Sequence, residues 1–190
     1  MARQKEFDTH IVLEKAMNVF WENGYEHTSM QNLVDAMGIH RRSIYDTFGD
    51  KHHLFILSLK LYEELIIQKI QMSILESMSV HEKLKAMFSV IINDKENRSG
   101  CLIVNTAAEL SNIDTVVEKE IQDFFNREEE LIFNILLMAQ KQNEIAISTD
   151  IEALSYFLHN ALIGIRVLSK TTNDSEKLNM IIDQTLKNIN

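Results

Sequence analysis

Residues 29–48 read Ser-Met-Gln-Asn-Leu-Val-Asp-Ala-Met-Gly-Ile-His-Arg-Arg-Ser-Ile-Tyr-Asp-Thr-Phe. Two short apolar-periodic runs meet at Gly38, which supplies the positive φ that a turn between crossed helices requires. Leu33 and Ile39 flank the turn and can pack inward. Ile44 and Phe48, four apart, place the apolar side of the second run on a core. Val34 falls where the two helices approach most closely, a place that a smaller side chain would fit more easily. The pattern is that of a helix-turn-helix. His40, Arg41, Arg42, Ser43 and Tyr45 remain on the outer face, and all are hydrogen-bonding groups suited to groove edges and phosphates.

On either side of this stretch the chain reads as helix throughout. A helix from about Asp8 to Asn23 carries Val12, Leu13, Ala16, Val19 and Phe20 and stops at Asn23-Gly24. Thr28 and Gln31 have capping-box spacing for the next helix, which ends at Met37. A third spans Arg41 to Thr47, and Asp50 caps a fourth to about Leu75. Ser79 with Glu82 opens a fifth, to Ile92. Residues 93–100 read as a polar loop, followed by helices at about Leu102–Leu110 and Asp114–Gln142. Thr149 with Glu152 and Asn173 with Glu176 open the last two, ending near Lys170 and Asn188. The expectation is an all-α fold of about nine helices. A three-helix domain over residues 1–50 precedes a larger helical ligand-binding and dimerisation domain over 51–190.

Composition agrees. The 190 residues contain no proline and five glycines, too few chain breakers for a turn-rich β-barrel or sandwich. A single cysteine, Cys101, excludes an intramolecular disulfide, and no Cys/His array has zinc spacing. No Ser/His/Asp grouping or phosphate loop points to an enzyme, and no cofactor or metal is implied. Residues 1–7 are polar and lack the apolar core of a secretory signal. No apolar run approaches the length of a membrane span, since Asn160 and Arg166 interrupt 158–168. A cytoplasmic protein with no membrane partner is expected. The net charge of -9 argues against a surface that coats nucleic acid as a whole. Residues 1–52 themselves hold six Lys/Arg against eight Asp/Glu. His40, Arg41, Arg42, Lys51, His52 and His53 nevertheless form a local basic cluster at the third helix and its exit. The acidic balance keeps a second reading open: a helical dimer that binds a small molecule or protein without reading DNA.

Residues 8–55 resemble the N-terminal domain of the TetR (tetracycline-repressor-like) transcriptional regulators. The resemblance is carried by Ala16-Met-Asn-Val-Phe-Trp-Glu-Asn-Gly-Tyr25, by Thr28-Ser29 and by Leu33-Val-Asp-Ala-Met-Gly-Ile39. Ser43-Ile-Tyr-Asp-Thr-Phe-Gly-Asp-Lys51, with Leu54-Phe55 behind it, completes it. It implies a homodimeric repressor on a pseudo-palindromic double-stranded operator, released by a small-molecule or thiol-reactive effector. By the same resemblance Thr28, Ser29, Tyr45 and Lys51 contact phosphates, and His40, Arg41, Arg42 and Ser43 read bases. His40 stands where the family often has Ser or Thr, Arg42 where a small residue is frequent, and Val34 where Ala is usual. Arg3 and Lys5 could reach a minor groove as a loose arm, with a plain solvated terminus as the alternative reading.

The C-terminal region supplies the remaining expectations. Family members pair their last two helices across a two-fold axis, which here assigns Leu154, Leu158, Ala161, Leu162, Gly164, Ile165, Leu178, Ile182 and Leu186 to the dimer interface. Simple intramolecular core is the alternative for these residues. An effector pocket among the fourth to eighth helices would draw on Phe88, Ile92, Asn105, Glu109, Phe124, Phe125, Phe133, Met138, Phe157 and His159. Cys101, beside Gly100 at the start of a helix, joins them as a thiol whose anionic form the helix dipole would favour.

Overall fold

The computed structural model describes residues 7–92, 100–187 and 189. Among these the chain forms α1 (Thr9–Asn23), α2 (Met30–Met37), α3 (Arg41–Phe48), α4 (Lys51–Ser73) and α5 (Val80–Ile92). They are followed by α6 (Leu102–Leu110), α7 (Thr115–Lys141), α8 (Ile151–Thr171) and α9 (Ser175–Leu186). The described residues are all-α, with nine helices and no strand, as the periodicity predicts. Arg3, Lys5 and the expected loop over 93–99 lie outside the described residues.

Helix starts are where the local reading slips, and always in the same direction. Ser29 caps α2, Asp150 caps α8 and Asp174 caps α9, each one residue after the Thr28, Thr149 and Asn173 read from spacing. Each true cap accepts from a backbone N–H three residues on. The physical reason is acceptor quality: Asp and Ser hold the free N–H groups of a first turn better than Thr does, and in all three places the better or equal acceptor stood next in line. The Ser79–Glu82 box of α5 forms as expected.

α4 is the hub. It packs on α1 on one side and on α5, α6 and α7 on the other, which is why Leu54, Phe55, Ile56, Leu59, Leu61 and Tyr62 are all buried. Phe20 of α1 meets the Phe55 ring edge-on at 4.9 Å, and Tyr25 lies 4.9 Å from the same ring. Burying such rings contributes roughly 2–3 kcal/mol each, so α1 and α4 behave as one packed unit. The first three helices are thereby seated on a rod that continues into the larger bundle.

α8 corrects one expectation. Over 18 residues its mean hydropathy reaches 1.2, and by length and composition it could cross a membrane. His159 and Arg166 lie inside the protein, 4% and 2% exposed. The apolar run reflects a helix that is core on one side and bare on another.

Candidate nucleic-acid interface

α2 ends at Gly38, whose φ of 70° and ψ of 25° are left-handed and whose N–H closes on Val34 O at 3.0 Å. Leu33, Met37, Ile44 and Phe48 are buried together beneath the turn. That arrangement turns the other side of α3 outward. His40, Arg41, Arg42, Tyr45 and Asp46 are exposed, while Ser43 is half-buried. Tyr45 is 45% exposed, a large ring that the core leaves out. His40 occupies the N-cap of α3 without a side-chain hydrogen bond, so the first N–H groups of this helix are open to an outside acceptor.

Two of the expected phosphate contacts are spent inside the protein. Thr28 is 1% exposed, and its hydroxyl donates to Gly24 O at 2.6 Å. The Lys51 ammonium donates to Tyr25 O and Thr28 O, both at 2.8 Å, and rests 4.2 Å from the centre of the Tyr25 ring. Both residues close the α1–α2 turn rather than face outward. The carbonyls of that turn take up the Thr28 hydroxyl and two of the three Lys51 donors. Ser29 is exposed, but its hydroxyl is shared with Asn32 in the cap of α2.

The same turn is fastened to the larger bundle. Glu109, taken from the sequence as an effector-pocket residue, instead accepts from Tyr25 N–H at 3.2 Å and Glu26 N–H at 3.0 Å. His52 of α4 meets Asp114 at 2.7 Å. Burial would raise the Asp114 carboxyl, but the Val117 N–H and His52 outweigh it and hold it below the usual value. Trp21 donates to Gly100 O at 2.9 Å and meets the Tyr62 ring edge-on at 4.9 Å. Gly24 shows how close the seat is: a Cβ there would lie 2.9 Å from Glu109 Oε2, at a φ of 78°. Gly24→Ala is therefore expected to lower stability by about 1–2 kcal/mol through strain and displacement of the carboxylate. Thermal melts should also show that adding Glu109→Ala to it costs little more, because the two changes act on one contact.

Inside the bundle the expected pocket residues separate. Phe88 and Phe124 are fully buried, Cys101 is 4% exposed, and Phe125 sits edge-on to His159 at 5.3 Å. Ile92 and Phe133 are half-buried, and the half-buried Asn105 accepts from the Lys170 ammonium at 3.2 Å. Phe157 and Met138 are 55% and 50% exposed and lie outside the interior. The helical stripe could not tell an inward from an outward ring on α8, because both of its sides are apolar.

At the centre is a polar cluster whose ion pair the sequence reading missed. Arg166 makes two hydrogen bonds to Glu128, and the side chains are 2% and 4% exposed. Burial alone would raise the Glu128 carboxyl, yet Arg166 holds it below the ordinary carboxylate range. His159 Nδ1 meets Glu129 at 2.9 Å, while its Nε2 lies 3.5 Å from Glu128 and has no hydrogen-bond partner. Cys101 occupies the N-cap of α6 beside the Tyr62 hydroxyl, which burial pushes well above its usual value. The signal was present: a cation in the apolar α8 and an acid on the buried stripe of α7.

The α8–α9 surface also differs in detail. Leu158, Leu162, Ile165, Leu178, Ile182 and Leu186 are at most 3% exposed and form core. Leu154, Ala161 and Gly164 retain exposure, joined by Tyr156, Phe157, Val167 and Met180, each at least half exposed. A groove of about 610 Å³ runs between the two helices, lined by Leu154, Phe157, Met180, Ile181 and Ile189 among others.

A helix-turn-helix with an outward basic α3, seated on a helical bundle, defines a DNA-binding transcriptional regulator. Known proteins place it further. The family profile described as bacterial regulatory proteins, tetR family, matches residues 12–57. That described as tetracyclin repressor-like, C-terminal domain, matches 81–185. The chain is 34% identical over 98% of both lengths to the HTH-type transcriptional regulator YezE of Bacillus subtilis (strain 168). It is 30% identical to the HTH-type transcriptional repressor ComR of Escherichia coli (strain K12), over 97% of this chain and 90% of that one. A cysteine mutant of the TetR family transcriptional regulator CifR, complexed with 26-base-pair operator DNA, superposes with a TM-score of 0.90 at 25% identity, over the full length of both chains. The protein belongs to the TetR family of transcriptional regulators.

Proposed function

We propose that the protein is a homodimeric repressor that binds a pseudo-palindromic operator through α3 and is released by a small-molecule effector. The observation that carries the reading is the exposed Arg41, Arg42 and Tyr45 on the side of α3 opposite Ile44 and Phe48. His40, Ser43 and Ser29 complete the surface offered to bases and phosphates. Support comes from ComR, a repressor by name, and from CifR, held on its operator. Two recognition helices spaced by one turn of duplex, about 34 Å, would meet the same groove twice. Selection of random duplexes with the purified protein, followed by mobility shift at low and moderate salt, tests the reading. A two-fold symmetric consensus with salt-sensitive binding is expected; enrichment of no sequence would refute it.

The bare face of α8 and α9 is the dimer seam in this reading. It pairs Phe157, Ala161, Gly164 and Val167 with Met180 and Ile181, and Gly164 has nothing within 4 Å of an added Cβ, leaving room for a second backbone. Phe157→Glu is expected to yield a folded monomer at micromolar concentration, because it sets a charge in the middle of an apolar contact. Light scattering after size exclusion reads the mass, and an unchanged dimer would remove this face from the interface.

The effector would enter near the Arg166–Glu128–His159 cluster, where His159 Nε2 offers a polar atom without a hydrogen-bond partner. From there Tyr62 and Trp21 lead to α1, and Glu109 leads to the α1–α2 turn. A shift along that route that favours the released state by about 1.4 kcal/mol would weaken operator binding tenfold. A thiol-reactive effector would act on Cys101, which is buried and open to attack only when α6 loosens. Cys101→Ser separates the two routes: oxidant release should vanish while release by other effectors persists.

A further inference from the structure

α3 carries its charges against its own dipole. Arg41 and Arg42 open the helix, there is no acid in its first turn, and Asp46 lies in its second half with no base in the last turn. A helix favours the reverse, with acids at its start and bases at its end. Arg42 and Asp46 approach to 3.6 Å, but their side chains are 92% and 69% exposed. An exposed pair in this order adds little to a helix.

Packing does not account for Asp46 either. At about 100° per residue it lies about 200° from both Ile44 and Phe48, opposite the buried side and beside Arg42. In a groove it would occupy the middle of the inserted face. A carboxylate there is repelled by the phosphates unless base edges donate to it. The donors in the major groove are the exocyclic amines of cytosine and adenine. Adenine sets its N7 acceptor beside that amine, which turns an acceptor-only carboxylate away, whereas cytosine offers the amine alone.

We propose that Asp46 is a specificity-determining residue that accepts from the N4 amine of a cytosine in each half-site, while Arg42 beside it donates to a neighbouring guanine. This rests on the operator reading above. Arg42 and Asp46 of α3 then form one reading unit, and the acid serves discrimination at the expense of general affinity for DNA.

The test repeats the random-duplex selection with the full-length wild type, Asp46→Ala and Asp46→Asn. Circular dichroism melts are expected to be unchanged, because the side chain is exposed and its pair with Arg42 adds little. The wild type should enrich a half-site with one cytosine column, preferred by about tenfold over other bases. Asp46→Ala should lose that column, keep the guanine columns and bind unrelated duplex more tightly. Asp46→Asn should move the column toward adenine. A wild-type consensus without the cytosine column, or one that Asp46→Ala leaves intact, would overturn the inference while the operator reading stands. Loss of the guanine column together with the cytosine in Asp46→Ala would also overturn it, because Asp46 would then only orient Arg42. No enrichment by the wild type would overturn the operator reading itself, and this inference with it.

Discussion

Replacing Arg166 by methionine is expected to destabilise the fold by about 3–5 kcal/mol, because it leaves a buried carboxylate without its cation. The two hydrogen bonds from Arg166 to Glu128 join α8 to α7 inside the bundle, and neither side chain can reach water without opening the core. Domains of this kind have a net stability of about 5–15 kcal/mol, so one such change consumes a large part of it. Combining it with Glu128→Leu should recover most of the loss, since both charges then leave together. Urea unfolding at a fixed protein concentration measures this. A cost under about 1 kcal/mol for the single variant would contradict a dry, mutually dependent pair.

The pair also sets a pH dependence. Glu128 is held below the ordinary carboxylate range in the folded state. Its contribution is therefore complete above the unfolded carboxyl value of about 4.3 and fades as pH falls through the lower folded value. The stability gap between wild type and Glu128→Gln should be widest near neutrality and close on acidification below about pH 4. A gap that widened in acid would reverse the sign of the coupling.

The second large effect is on DNA. Arg41→Ala combined with Tyr45→Phe is expected to weaken operator binding by about two orders of magnitude or more. Each removes hydrogen bonds from an exposed side chain of α3, and a symmetric dimer makes each change twice. The melting temperature and the dimer should be unaffected, because neither group supports the core: Ile44 and Phe48 do. Arg41 should matter most for discrimination between sequences, and the Tyr45 hydroxyl for binding to any duplex, as fits a base contact and a phosphate contact. A double variant that shifts operator like the wild type would move the reading surface elsewhere.

Much of this surface was legible along the chain. Residues 29–48 hold their own turn, and Ile44 with Phe48 determines which side of α3 is hidden, so the exposure of Arg41, Arg42 and Tyr45 follows from spacing alone. Thr28 and Lys51 were not legible. Their partners are the carbonyls of Gly24, Tyr25 and Thr28, and for Lys51 those lie 23 and 26 residues away. Asp46 follows from the same spacing, opposite Ile44 and Phe48, but in the sequence it counts only as one of the acids set against a basic surface.

The sequence by itself determined the local elements: the nine helices among the described residues, the glycine-broken turn before α3, and the periodic stripes that had to be covered. These depend on interactions within one or two turns. Tertiary structure alone decided which polar groups became partners across the bundle, because Glu128 and Arg166, or Glu109 and the α1–α2 turn, meet only after the helices have packed. It also decided how the apolar surface of α8 divides between core and bare face. Periodicity specifies that a side chain must be buried, and only the assembled neighbours specify against what.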